Sequence, residues 1–185
     1  MFLILSFYPG GVYIQNLIKM KNVVGFKSRW MVLVGMVFLL QVLGGCQDEE
    51  LPEGEIRLSE IQDNPDYASL PLIGTQWKLI GFVDGRRERL RLTEPTNENS
   101  YTITFLTNGE FSGTTYANGM AGKYEASEID SSLKILEFGL KSFAGEIHDS
   151  PMYTESLKNS SDFNLSPKGL ALYYDSQKFM LFKPQ

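Results

Sequence analysis

The chain holds one His and one Cys, so side chains able to do acid–base or metal chemistry near neutral pH are few. His148 lies in Gly145-Glu146-Ile147-His148-Asp149-Ser150, which puts an imidazole and two carboxylates within four positions. That set has the groups to hold a metal ion or move a proton. The usual protein metal centres need a second imidazole or thiolates at fixed spacing. None is present, so His148 reads as a polar residue leading into a helix. The basic cluster Arg86, Arg87, Arg89 and Arg91 has guanidinium groups suited to phosphate, glycan sulfate or lipid headgroups. Glu88 and Glu94 interleave with it, so a solvated hairpin tip is the plainer reading. Ser131-Ser132-Leu133-Lys134 fits Ser-x-x-Lys, but that chemistry needs both residues on one helix face, and Lys134 begins a strand pattern. No Gly-x-Gly-x-x-Gly, Walker loop or Gly-x-Ser-x-Gly occurs. The expectation is a protein with no catalytic residue, no metal and no cofactor.

The elements that would position these groups follow from composition and pattern. The 185 residues are 43% hydrophobic and 21% charged, which suits one globular domain and excludes a disordered chain. Charge is uneven. Lys19, Lys21, Lys27 and Arg29 give residues 1–45 a net +4 with no acid, and all 22 acidic residues lie beyond, leaving that part at −9. An acidic body argues against nucleic-acid binding.

Met31 to Gly45 is an uncharged apolar run. It is short of the ~20 residues a membrane span needs and matches a secretory h-region behind a basic n-region. It ends in Leu43-Gly44-Gly45-Cys46, which resembles the lipobox of bacterial lipoproteins. The resemblance implies cleavage between Gly45 and Cys46, diacylglycerol on the Cys46 thiol and an N-acyl chain such as palmitate on the new amino end. Two or more acyl chains anchor stably where one does not. Residues 1–45 are thus expected to be a lipoprotein signal peptide, with Met20 as the expected true start. The acids Asp48, Glu49 and Glu50 resemble an export signal that sends lipoproteins of some Gram-negative lineages to the cell surface. The expected place is the outer membrane, surface-exposed.

Residues 46–69 carry eight acids, one base and a scatter of Pro and Gly, and read as an acidic flexible tether. From residue 70 to 185 the pattern is β. Trp77, Leu79, Gly81 and Val83 alternate with Lys78, Ile80 and Phe82, predicting one face for each set. Tyr101 to Phe105 and Phe111 to Thr115 flank Asn108-Gly109, a hairpin signal in which both central residues accept positive φ. Lys123–Ala126, Leu133–Phe138, Leu170–Tyr174 and Lys178–Phe182 complete the strands. Ser150 as N-cap with Pro151 at the first turn predicts a helix to Asn159, with Met152, Tyr153 and Leu157 on one side. The fold class is mainly β (α+β): a small antiparallel β-barrel or strongly curved sheet with one covering helix.

Gly74-Thr75-Gln76-Trp77, Tyr101 to Phe105, Gly109, Phe111, Gly113, Asn118, Gly122, Tyr124, Glu155 and Leu157, and the closing Leu170–Tyr174 and Phe179–Phe182 pairs, in that order, resemble the META (HslJ-like) domain over residues 70–184. Where that family often has Cys-Asn, this chain has Ala117-Asn118, and a second family Cys is absent, so that disulfide is lost. The resemblance implies a small envelope domain concerned with stress or upkeep and supplies no catalytic residues. The expected function is therefore a lipid-anchored binding or interaction module, held at the membrane and contacting an envelope protein or glycan. The alternative is a lipocalin-like carrier of a small apolar ligand in a hollow barrel. The candidate binding surface is Tyr116, Asn118, Arg86, Arg87 and Arg89, with Tyr173 or Tyr174 as further outward aromatics.

Overall fold

The computed structural model describes residues 50–94, 97–142 and 145–185. The leader over residues 1–45, the cleavage site at Gly45, the lipid attachment at Cys46 and the first residues of the tether lie outside them. The described strands are β1 (Glu55–Arg57), β2 (Gln76–Asp84), β3 (Arg89–Leu92), β4 (Thr102–Phe105), β5 (Glu110–Thr114), β6 (Gly119–Ser127), β7 (Ser132–Leu140), β8 (Asp162–Ser166), β9 (Gly169–Asp175) and β10 (Lys178–Pro184). One α-helix, α1 (Ser150–Lys158), stands between β7 and β8. All the strand pairs are antiparallel, in the order β1-β3-β2-β10-β9-β8-β7-β6-β5-β4, and β4 returns to β2. Strands β2 to β10 other than β3 thus form a ring, with β3 and β1 continuing outward from β2. Over the described residues the fold is the expected barrel-like antiparallel sheet with one α-helix.

The ring is weakest between β7 and β8, where the only registered pair is Ser132 with Asp162. Above that pair the strands part, and α1 fills the opening. Tyr153 and Leu157 are fully buried and turn inward from the helix. The Tyr153 hydroxyl donates to the Thr102 carbonyl at 3.1 Å, across the barrel. Its ring packs edge-on to Tyr101 at 5.7 Å and near Phe182 at 6.3 Å. Met152, expected beside Tyr153, is instead 40% exposed. Ser150, Thr154 and Ser156 are buried beside Tyr153 and Leu157, so the inward face of the helix is broad and carries two large side chains among small polar ones.

Trp77, Leu79, Phe82, Ile103, Phe105, Phe111, Met120, Leu133, Leu170, Leu172, Met180 and Phe182 fill the ring around those two side chains. Simple alternation put Val83 on the face of Trp77 and Leu79, and the structure corrects this. Leu181 pairs with Gly81 and Phe182 with Leu79, so Ile80 is an extra residue on β2. This β-bulge exchanges the faces beyond it. Phe82 therefore joins the inner core, while Val83 and Ile80 turn outward. Gly81 sits at the bulge because a Cβ there would strike the Arg91 carbonyl of β3.

The hairpin at Asn108-Gly109 forms, but only Gly109 has positive φ, at 78°. Gly109 N donates to Leu106 O and Leu106 N to Glu110 O, a longer loop than the two-residue turn expected. Asn108 stays at negative φ and accepts from Glu110 N through its side chain.

The tether reading is also corrected. Residues 55–69 are part of the fold. Strand β1 pairs Glu55, Ile56 and Arg57 with Arg91, Leu90 and Arg89. Two 3₁₀ turns follow, Leu58–Glu60 and Pro65–Ser69. Ile61, only 8% exposed, joins Val83, Leu90 and Leu181 in a second apolar cluster on the outside of the barrel. Lys168 Nζ holds the far side of this strap through Ile61 O at 3.0 Å and Asp63 at 2.8 Å. The strap is fixed because β2, β3 and β10 offer an apolar outer face that water would otherwise cover.

Candidate functional site

The loop between β5 and β6 and the approach to α1 meet at one end of the barrel. Thr115 N donates to Asn118 O at 2.8 Å and Asn118 N to Thr115 Oγ1 at 3.0 Å, a tight turn closed on itself. Thr115 Oγ1 also donates to Glu146 Oε1 at 2.9 Å. The Asn118 side-chain amide donates to the same carboxylate oxygen, and its carbonyl oxygen accepts from Ser142. Glu146 Oε2 is buried with no hydrogen-bond partner. Beside this knot, Tyr116 N donates to Ser150 Oγ at 3.1 Å. Its ring meets the His148 ring edge-on, with centroids 4.8 Å apart. His148 has φ 55°, the left-handed region that among residues other than Gly is occupied chiefly by Asn, Asp and His.

Asp149 stands at the cap position of α1 but does not cap it with its side chain. Its carboxylate takes both Arg91 guanidinium nitrogens, at 2.9 and 3.1 Å, and the Glu94 amide at 2.8 Å. Arg91 also contacts Met152 Sδ at 3.2 Å and lies over the Phe82 ring at 5.0 Å. Ser150, expected as the N-cap, is inside the helix and spends its hydroxyl on Tyr116 instead. The Glu94 carbonyl accepts from the Tyr101 hydroxyl at 2.9 Å.

The structure thus brings Tyr116, Asn118, Glu146, His148 and Asp149 to one rim. It moves Asn118 off the candidate surface, because that side chain is 3% exposed and acts as an internal strut. Of the arginines, Arg91 joins the rim through Asp149, whereas Arg86, Arg87 and Arg89 do not. Arg86 bonds to Gln177 and its amide to Asp84, Arg87 lies 3.8 Å from Asp84, and Arg89 lies 3.8 Å from Glu55. Each guanidinium is drawn to a different acceptor, so they do not converge on one anion. Of the outward aromatics, Tyr173 packs on Phe179 at 5.0 Å, while Tyr174 leans on the inner core. Sequence reasoning set Arg91 among the other arginines and did not single out Thr115. Nothing in the local pattern marks either, because their partners are 58 and 31 positions away.

Among the described residues no group of three or more His, Cys, Asp or Glu is placed to hold a metal ion. Asp149 is neutralised by Arg91, Glu146 is locked by two donors and His148 faces a phenol ring, so these titratable groups do not converge on a shared substrate position. A cleft of about 700 Å³ opens between the β6–β7 hairpin and the end of α1, lined in part by Lys134, Lys158, Ser132 and Ser161. A second, of about 420 Å³, crosses β5, β6 and β7.

Replacing Asn118 with alanine removes the donor to Glu146 and the acceptor for Ser142 in a buried site. Leaving those groups bare is expected to cost about 1–2 kcal/mol. Thermal melts of the two proteins check it, and unchanged melting would show that the knot carries no stability.

No protein-family model matches the chain, and no curated protein matches it. Similar solved structures include the following two. One is a crystal structure of a DUF4847 family protein from Bacteroides vulgatus, with 15% identity over 63% of this chain and 92% of the other, at a TM-score of 0.45. The other is an NMR structure of a protein from Burkholderia xenovorans, with 18% identity over 76% of this chain and 97% of the other, at a TM-score of 0.50. At these identities the likeness concerns the fold alone.

Proposed function

We propose that the chain is a lipid-anchored protein of the cell envelope, in the outer membrane and facing the surface, whose META/HslJ-like barrel is a non-enzymatic module that binds an envelope protein or glycan. The observation that carries the reading of the barrel is its filled interior. Trp77, Phe105, Phe111, Tyr153 and Phe182, each at most 1% exposed, occupy the axis where an apolar cargo would sit. A lipocalin-like carrier needs several hundred Å³ of free space there. Binding on this scaffold therefore falls to its outer surface and loops. The anchor part of the proposal is supported by the basic n-region, the apolar run and Leu43-Gly44-Gly45-Cys46 in order. An acyl anchor raises local concentration, so modest contacts suffice.

Metabolic labelling with palmitate, followed by detergent phase separation, tests the anchor. The parent chain is expected to take label and enter the detergent phase, and Cys46→Ser to do neither. A Cys46→Ser protein that still takes label and partitions would overturn it. Protease shaving of intact cells tests the topology: release of the body is expected, and protection until lysis would refute surface display.

A further inference from the structure

We infer that the barrel rim carrying Ile147 and Met152 lies against the zwitterionic lipid interface of the membrane that holds Cys46; this rests on the lipid-anchor reading above. With residues 55–69 bound to the barrel, only the eight residues Gln47–Gly54 separate the acylated position from the first strand. Fully extended, they span at most ~28 Å. As a coil they reach ~16 Å, against ~25 Å for a tether running to Ser69. The barrel is therefore leashed close to its membrane, and the position of Gly54 decides which side faces down.

Gly54 leaves the fold beside the rim. Its carbonyl accepts from Leu92 N at 2.9 Å. The next residue, Glu55, is registered on Arg91. The Arg91 side chain runs to Asp149 and to Met152 Sδ. Glu94, whose amide bonds Asp149, lies next to Gly54. Two exposed apolar side chains lie within three positions of Asp149 in the chain, Ile147 at 50% and Met152 at 40%. Each can enter the interface while Arg91 and Asp149 neutralise one another between them. The acids Glu50, Glu53 and Glu94 stand around the same exit. They are repelled by an anionic surface, so the contact favours zwitterionic lipid. The β6–β7 hairpin, with Ile129 fully exposed at its tip, belongs to the far arc of the ring from β2 and β3 and serves as the reference position.

The test uses the full processed lipoprotein in phosphatidylcholine vesicles that contain lipid with a bromine quencher in the upper acyl chain. Cys46 is acylated, so Ile147→Cys and Ile129→Cys each supply one thiol for a small fluorophore. Quenching at position 147 is expected to exceed that at 129 at least threefold, and the ratio to fall when a fifth or more of the lipid is phosphatidylglycerol. Equal quenching at the two positions in protein that has partitioned into the vesicles overturns the docking and leaves the anchor standing. Protein that never partitions overturns the anchor itself. Met152→Cys is a second position on the rim; if it too is quenched no more than 129, the orientation is wrong.

Discussion

Replacing Tyr153 with alanine is expected to destabilise the barrel by about 3–5 kcal/mol, the range for removing a large aromatic from a packed core. The size follows from where α1 sits. Strands β7 and β8 share one registered pair, flanked by the backbone hydrogen bonds from Leu133 N to Ser161 O and from Phe163 N to Ser131 O, so the ladder that closes the ring there is short. Tyr153 and Leu157 close the rest with side-chain volume. The Tyr153 ring is in contact with both Tyr101 and Phe182, so its loss leaves a void bordered by two other aromatics that cannot both collapse into it. Tyr153→Phe keeps the ring and removes only the hydroxyl donated to Thr102 O, at about 1 kcal/mol. Chemical denaturation of the three proteins measures the pair of values. If alanine costs no more than phenylalanine, the helix is a lid on a ring already closed, and the reading of α1 as a plug fails.

The same residue gives a pH signature. Burial pushes the Tyr153 phenol well above its usual pKa, and burial also raises Tyr101, Tyr124 and Tyr174. The folded state therefore holds protons that the unfolded chain releases near pH 10. The stability these groups contribute is complete below that pH and is lost as pH climbs above it. Burial lowers Lys78 instead, which works in the opposite direction but through a single group. Alkaline titration by phenolate absorbance should show Tyr101, Tyr124 and Tyr174 ionising late and Tyr153 only as the chain unfolds. Tyr153→Phe should soften the fall in stability above pH 10.

The elements that were legible in the sequence are those whose side chains alternate cleanly. The hairpin around Asn108-Gly109, the β9–β10 pair and the helix after Ser150 all declare themselves. Strand β3 does not, because Arg89-Leu90-Arg91-Leu92 looks like a charged tip until Leu90 is seen fully buried between the strap and β2. Strand β8 is five residues of mixed polarity, paired fully only with β9. The bulge at Ile80 is a register event between two strands, and no period along β2 alone reveals it. At the rim, Glu146, His148 and Asp149 stood out by type and closeness. Their partners Thr115, Asn118 and Arg91 are joined to them only by the closure of the ring, so a local pattern carries no trace of the match.

The largest departure from the sequence reading carries the second prediction. Eight acids and little periodicity made residues 46–69 look like a tether, yet Ile56, Leu58 and Ile61 are enough to bind that strap to the outer face of β2, β3 and β10. A chain beginning at Leu70 would uncover Val83, Leu90 and Leu181, each now at most 1% exposed. Burying a side chain of that size contributes about 1.5–3 kcal/mol, so the gross loss is about 5 kcal/mol. That exposure is expected to lower the melting temperature, with increased binding of an apolar-surface dye and self-association through the freed edge of β3. A chain beginning at Leu51 keeps every strap contact and should match one beginning at Gln47. If the chain beginning at Leu70 melts with those two, the segment is a tether after all, and the short leash that places the rim at the membrane goes with it.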